Sequence, residues 1–220
     1  MRLYYLTSLH IAKMILRERR MKLSLFNELN DPFELLGASI GDKLARRVFK
    51  TILLKHWTDT LGIICLSQTW QSPVMWAHYA AKHHGVCLGF DVPDYLAREV
   101  RYSPDRLTNM LNNNQPAAGL EQQKLEAVLT TKFADWSYER EWRVFALLQE
   151  RDANGKFYVD FGSNLTLRSI VVGARCEIAV PDMAKLVLRP EKPVDVWKAR
   201  PAFTEFRIVR QQRVPVLTVS

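Results

Sequence analysis

The chain has 220 residues, 48% of them hydrophobic, and a formal charge of +8. That length suits one domain, residues 1–220, with enough apolar side chains to fill a core. No apolar run reaches the roughly 18 residues a membrane helix needs, and the first residues lack a signal-peptide layout, so the expected setting is soluble, with no membrane partner.

In chain order, residues 3–6 read as a short strand. Ser8 is placed to cap the helix that follows, with Ile11, Met14 and Ile15 on its apolar face and Arg17, Arg19 and Arg20 in its last turn. Asn30-Asp31-Pro32 signals a turn, with Phe33 as an anchor behind it. Ile40, Leu44, Val48 and Ile52 recur at helical spacing across residues 40–57. Lys43, Arg46, Arg47 and Lys50 give that segment a solvated basic side. Residues 61–67 read as a buried strand. Ser72-Pro73 starts a helix carrying Met75, Trp76, His78 and Tyr79, which is expected to stop near Gly85 as a left-handed cap.

Residues 86–90 form another strand by the same reading. A polar break covers residues 112–116, and residues 118–133 look like an amphipathic helix. The Asp152–Gly155 turn predicts a hairpin joining strands 143–149 and 156–161. A strand over 168–173, a short helix from Pro181 and strands near 193–198 and 204–210 complete the chain. The class is α+β: a single domain with a split, mixed or antiparallel β core and inserted helices.

Charge is unevenly spread. Residues 1–50 hold 10 basic and 5 acidic side chains, residues 51–150 hold 9 and 11, and residues 151–220 hold 12 and 7. The basic ends could meet nucleic acid or an acidic protein. Cys65, Cys87 and Cys176 are scattered, with no C-x-x-C. This speaks for a reducing, cytoplasmic setting and against zinc, and Cys65 and Cys87 sit in apolar runs that bury thiols. His78 and His83 lack the spacing of a helical metal pair, so no metal site is expected. A P-loop, a dinucleotide-binding G-x-G-x-x-G and a G-x-S-x-G serine are all absent.

What remains is the stretch KFADWSYEREWRVFALL at residues 132–148. If its strand begins near Glu139, then Glu139, Glu141 and Arg143 share one face, and Tyr138, Arg140 and Trp142 share the other. Two carboxylates and a guanidinium at a strand mouth form either a site or an ordinary Glu–Arg pair. As a site, a glutamate beside a ribose accepts a hydrogen bond from the 2′-hydroxyl and stabilises positive charge building at the anomeric carbon. Aromatic rings can stack on nicotinamide or adenine. That is the chemistry of glycosyl transfer from NAD. Glu141 suits the main role, with Glu139 orienting an acceptor or acting as its base.

The blocks NDPFE at 30–34, WAHYAAKHHGVCLGF at 76–90, WSYEREWR at 136–143 and IVVG at 170–173 resemble the bacterial family called domain of unknown function 2971. A more distant resemblance runs to the ADP-ribosyltransferase superfamily, including toxin-type enzymes that modify nucleic acid. LYYLTSLHIAKMIL is similar to its first strand and helix, and Tyr138-Glu139-Arg140-Glu141 to its catalytic turn. Tyr5 stands where many such enzymes have His or Arg. The resemblance implies an ADP-ribosyltransferase-like fold and NAD held in a cleft. In it Glu141 is catalytic, Glu139 and Arg143 are auxiliary, and Ser67, Trp76, His78 and Tyr79 face Tyr5 and Thr7. It also implies a nucleic-acid or protein acceptor, and a toxin or anti-phage role with an antitoxin or defence partner. Two alternatives stand beside it: a non-enzymatic binding module for nucleic acid or protein, and a nuclease-like effector using the acidic pair with a divalent ion.

Overall fold

A computed structural model describes residues 1–34, 55–107 and 122–220, with single positions 39, 41, 43, 47 and 51. The helix expected over 40–57 and the break at 112–116 fall largely or wholly outside the described residues.

The fold is mixed α+β, built on a large curled sheet with few helices. Its strands are β1 (Arg2–Thr7), β3 (Leu61–Ser67), β4 (Val86–Asp91), β5 (Ala97–Glu99), β8 (Glu141–Leu147), β10 (Thr166–Val172), β11 (Val194–Pro201) and β12 (Ile208–Arg210). They lie in the order β12-β11-β10-β4-β1-β3-β8-β5, and β13 (Leu217–Val219) pairs with β11. β10 and β11 run parallel, and the other neighbours in this sheet are antiparallel. β1 pairs with β4 along its whole length but meets β3 at one position, Tyr4 opposite Ser67. The two halves of the sheet therefore part between β1 and β3.

Alternation along the strands sorts side chains to two faces. Leu3, Leu88, Phe90, Ile170 and Val172 enter the main core beneath the helices Leu9–Glu18 and Val180–Ala184. Leu6, Cys87 and Val171 point the other way, against Trp76 and Met75 of the helix Pro73–Tyr79. Ser8 and Ser72 cap their helices as expected, accepting from the backbone N–H of Ile11 and Met75.

Several expectations are corrected. The first helix buries Ala12, Ile15 and Leu16, while Ile11 and Met14 are exposed. Arg19 sits in the left-handed cap after that helix, and Arg20 already belongs to β2 (Arg20–Leu23). Phe33 is exposed rather than an anchor, and the neighbours Asp31 and Glu34 are buried instead. The helix Pro73–Tyr79 is followed by positive-φ residues Ala81, Lys82 and His83, so Gly85 is not the left-handed cap. Gly85 is needed for close approach: a Cβ there would lie 2.1 Å from the carbonyl oxygen of Thr7.

The segment expected as one helix over 118–133 contains the helix Gln122–Leu129 and then strand β7 (Thr131–Phe133), which pairs with β6 (Arg101–Ser103). The Asp152–Gly155 turn is present, but β9 (Phe157–Asp160) does not return to β8. It pairs with β2, whose Met21 and Leu23 bring apolar side chains to the main core. Among the described residues, no helix is long and apolar enough to cross a membrane.

Candidate functional site

A cavity of about 230 Å³ lies where β1 and β3 part, walled by Tyr4, Tyr5, Ser67, Tyr79, Glu139 and Glu141, among others. Register explains part of this. Tyr4 stands opposite Ser67, and Ser67 opposite Glu141, so three adjacent strands bring these residues into one row.

Glu139 arrives differently. The strand does not start there: Glu139 ends the 3-10 helix Ala134–Glu139, Arg140 takes a left-handed conformation with φ 45°, and β8 begins at Glu141. Ser67 locks this corner by donating from Oγ to the Glu139 carbonyl at 2.6 Å, and the Gln68 N–H reaches the Arg140 carbonyl at 2.9 Å. The expected shared face for Glu141 and Arg143 is present, with Trp142 turned to the main core. Glu139 joins that pair through the corner rather than through strand alternation.

One side of the cavity is a buried ionic network, with Lys132 and Glu34 on the wall beside the two glutamates and Arg143 behind them. Lys132 Nζ contacts Glu139 Oε2 at 2.7 Å, Glu141 Oε2 at 3.1 Å and Glu34 Oε1 at 3.4 Å. Arg143, fully buried, donates to both oxygens of Glu141, to both oxygens of Glu34 at 2.8 Å, and to the Leu129 carbonyl at 2.6 Å. Such charges persist in the interior only because each has partners. Burial pushes the Glu141 carboxyl up, but the fields of Arg143 and Lys132 more than reverse this and leave its pKa below the ordinary value. For Glu34 burial wins over the same two cations, and its pKa is raised. Burial works against the Lys132 charge, yet Glu141 and Glu139 outweigh it and raise its pKa.

Capacity to bind something more is unequal between the two glutamates. An ionised carboxylate offers about four acceptor sites. Among the described residues, Glu141 takes two bonds from Arg143 and one from Lys132. Glu139 takes one from Lys132 and one from the Tyr79 hydroxyl, which in turn accepts from Asn30 Nδ2 at 2.7 Å. Among the described residues, Glu139 thus keeps about two open acceptor sites beside the cavity. Burial first, and the bond to Glu139 second, push the Tyr79 pKa well up, so its hydroxyl keeps its proton.

Of the residues singled out from sequence, Tyr5, Ser67, Tyr79, Glu139 and Glu141 line the cavity, and Arg143 supports it from behind. Thr7, Trp76 and His78 are not on its wall. Trp76 is completely buried, its indole N–H bonded to the Trp70 carbonyl at 2.6 Å and its ring stacked on His83. His78 turns to the Tyr138 hydroxyl, 3.1 Å from Nδ1. Thr7 is buried at the end of β1. Cys65, expected in the interior, is half-buried on the cavity wall, while Cys87 is buried as expected. Lys132, Glu34, Asn30 and Tyr102, whose hydroxyl accepts from the Glu141 N–H at 2.8 Å, had no role assigned from sequence. Lys132 opens the 132–148 stretch and Glu34 ends the NDPFE block, but nothing in local spacing joins residues 98 positions apart.

Residues 75–144 match the model of a family described as protein of unknown function (DUF2971). The match spans two of the four blocks noted above, including His78, Tyr79, Lys132, Glu139, Glu141 and Arg143. No curated protein and no solved structure matches the chain.

Proposed function

We propose that the protein is an ADP-ribosyltransferase-like enzyme that cleaves NAD at its nicotinamide–ribose bond and transfers ADP-ribose to a macromolecule, nucleic acid or protein. A toxin or anti-phage effector role, with an antitoxin or defence partner, belongs to the same reading through the family resemblance. The observation that carries the proposal is the pair of open acceptor sites on Glu139, beside a cavity bordered by Tyr4, Tyr5 and Tyr79. A ribose hydroxyl can bond there, and the buried carboxylate can stabilise positive charge developing at the anomeric carbon. Tyrosine rings on the wall can stack on a planar base. The cavity is smaller than the roughly 300–1,000 Å³ of typical ligand sites, which suits the ring-and-sugar half of NAD.

This assigns the main role to Glu139 rather than to Glu141, whose carboxylate is held by two bonds from Arg143 and one from Lys132. Glu141 then acts as a positioning residue that fixes Lys132. The discriminating experiment incubates labelled NAD with protein and lysate, then looks for label on protein, RNA and DNA. Glu139→Gln is expected to abolish labelling with the fold intact.

A second reading has its own observation. Lys132 and Arg143 neutralise much of the acidic cluster, as in a purely structural network. On that reading the chain is a binding module. Millimolar NAD would then leave the melting temperature unchanged, whereas a ligand of the folded state raises it.

A further inference from the structure

On the sheet edge formed by β12, the hairpin between β11 and β12 carries two fully solvated aromatic rings, Phe203 at 90% and Phe206 at 101% relative exposure. Two such rings on one hairpin form an exposed apolar patch of the kind that marks an interaction site. The loop that holds them is ordered by its backbone. The Ala202 N–H donates to the Arg207 carbonyl at 2.8 Å, and the Ile208 N–H ties the returning strand to the Gln71 carbonyl at 2.9 Å. The Arg200 guanidinium lies over the Phe203 ring, 4.3 Å from its centroid. The surroundings are strongly basic: residues 197–213 contain five Lys or Arg and one acid, Glu205. Lys198 is engaged internally with the Cys176 carbonyl, but Arg207, Arg210 and Arg213 are exposed.

We infer that this hairpin is a docking surface for single-stranded nucleic acid, with Phe203 and Phe206 stacking on unpaired bases and the arginines meeting phosphates. Single-strand binders combine these two elements, exposed rings and a cationic track. The charge distribution separates this occupant from an anionic membrane, the other surface that attracts basic, aromatic tips. Glu205 stands between the two rings and pairs with Arg207 at 2.8 Å. Inserting both rings into a bilayer would drag that ion pair into the headgroup–acyl boundary, whereas stacked bases leave it in water. The ordered loop also means that little conformational freedom is lost on binding. The inference stands independently of the chemistry proposed for the cavity.

The test uses the full chain and a fluorescent oligo-thymidine in an anisotropy titration, with the same sequence in a duplex and with phosphatidylserine vesicles as parallel arms. Expected is tighter binding to the single strand than to the duplex, weakening with salt. Phe203→Ala and Phe206→Ala should each weaken it at least about fivefold, since stacking on an aromatic ring typically contributes that much or more. Arg210→Gln with Arg213→Gln should flatten the salt dependence while leaving the preference for single strands. Neither phenylalanine is buried, so the melting temperature should not move. The inference is overturned by absent binding, by equal affinity for the duplex with no effect of either ring, or by ring-dependent binding to vesicles alone.

Discussion

Replacing Lys132 with Met is the sharpest perturbation of the buried network. The ammonium touches three carboxylates between 2.7 and 3.4 Å, and both its own side chain and those of its partners are nearly inaccessible. At an effective dielectric of about 20, one such contact near 3 Å attracts by roughly 5 kcal/mol, while burying the cation costs several kcal/mol. Removal leaves Glu139 and Glu141 with a shared neutralising partner gone. Breaking a buried pair in this way costs about 3–5 kcal/mol. For a chain of this size each kcal/mol moves the melting temperature by about 2–4 °C, so a drop of roughly 6–20 °C is expected. The loss should shrink in acid, because one of the uncompensated carboxyls can then take up a proton. Adding Glu139→Gln should restore part of it. The assay is urea unfolding followed by tryptophan fluorescence across pH, for the single and double variants. A loss under about 1 kcal/mol, independent of pH, would show that the network is solvated and would refute the argument.

Glu139→Gln should leave the protein folded and reduce NAD cleavage by on the order of hundreds-fold, whereas Glu141→Gln should lower stability more than it lowers activity; paired unfolding and NAD-hydrolysis assays separate the two. Tyr79→Phe removes a half-buried donor to Glu139 and an acceptor for Asn30, and should cost about 1–2 kcal/mol in thermal unfolding. Glu34 gives a pH signature. Its folded pKa is raised, so the folded state holds a proton that the unfolded chain gives up, and its contribution falls as pH rises from the ordinary carboxylate value through the raised one. Glu141 runs the other way: its folded pKa is lowered, so its contribution is present above the ordinary value and lost as pH falls through the lowered one. Unfolding free energies of Glu34→Gln and the parent, compared across mildly acidic pH, should therefore move in the parent's disfavour as pH rises. Trp142→Ala should cost about 2 kcal/mol, less than for a fully buried ring, because Trp142 is only half-buried against the main core.

Much of the sheet was legible because its strands carry strong local signals. β3, β4 and β10 are apolar runs of the length and β-branched content that buried strands require, and the capping serines stand directly before their helices. One cause of the misreadings is that partner choice is not a local property. The turn at Asp152–Gly155 predicts a hairpin correctly as a turn, yet β9 finds β2, about 135 residues upstream, since the two together cover the edge of the main core. Short strands such as β5, β6 and β7 are three residues each and leave almost no periodic trace. The first helix misled because Ile11 and Met14 are apolar but face solvent, while Ala12, small and unremarkable in sequence, is the residue that fits against the sheet.

The candidate site was legible in composition and not in roles, and the reason is specific. Alternation along β8 does predict that Glu141 and Arg143 meet, but the strand pattern treats Glu139 as an equivalent third member. The left-handed Arg140 breaks that equivalence: the ladder begins at Glu141, Glu139 is turned off the strand, and both carboxylates still reach Lys132. A non-glycine residue in that conformation is held by its surroundings, here by Ser67 on one side and the Gln68 N–H on the other. Glu141 meets Arg143 by strand alternation, whereas the corner lets Glu139 face Tyr79, with about two acceptor sites left open among the described residues. A straight strand, rising about 3.4 Å per residue, would have carried Glu139 about 13 Å along the sheet from Arg143.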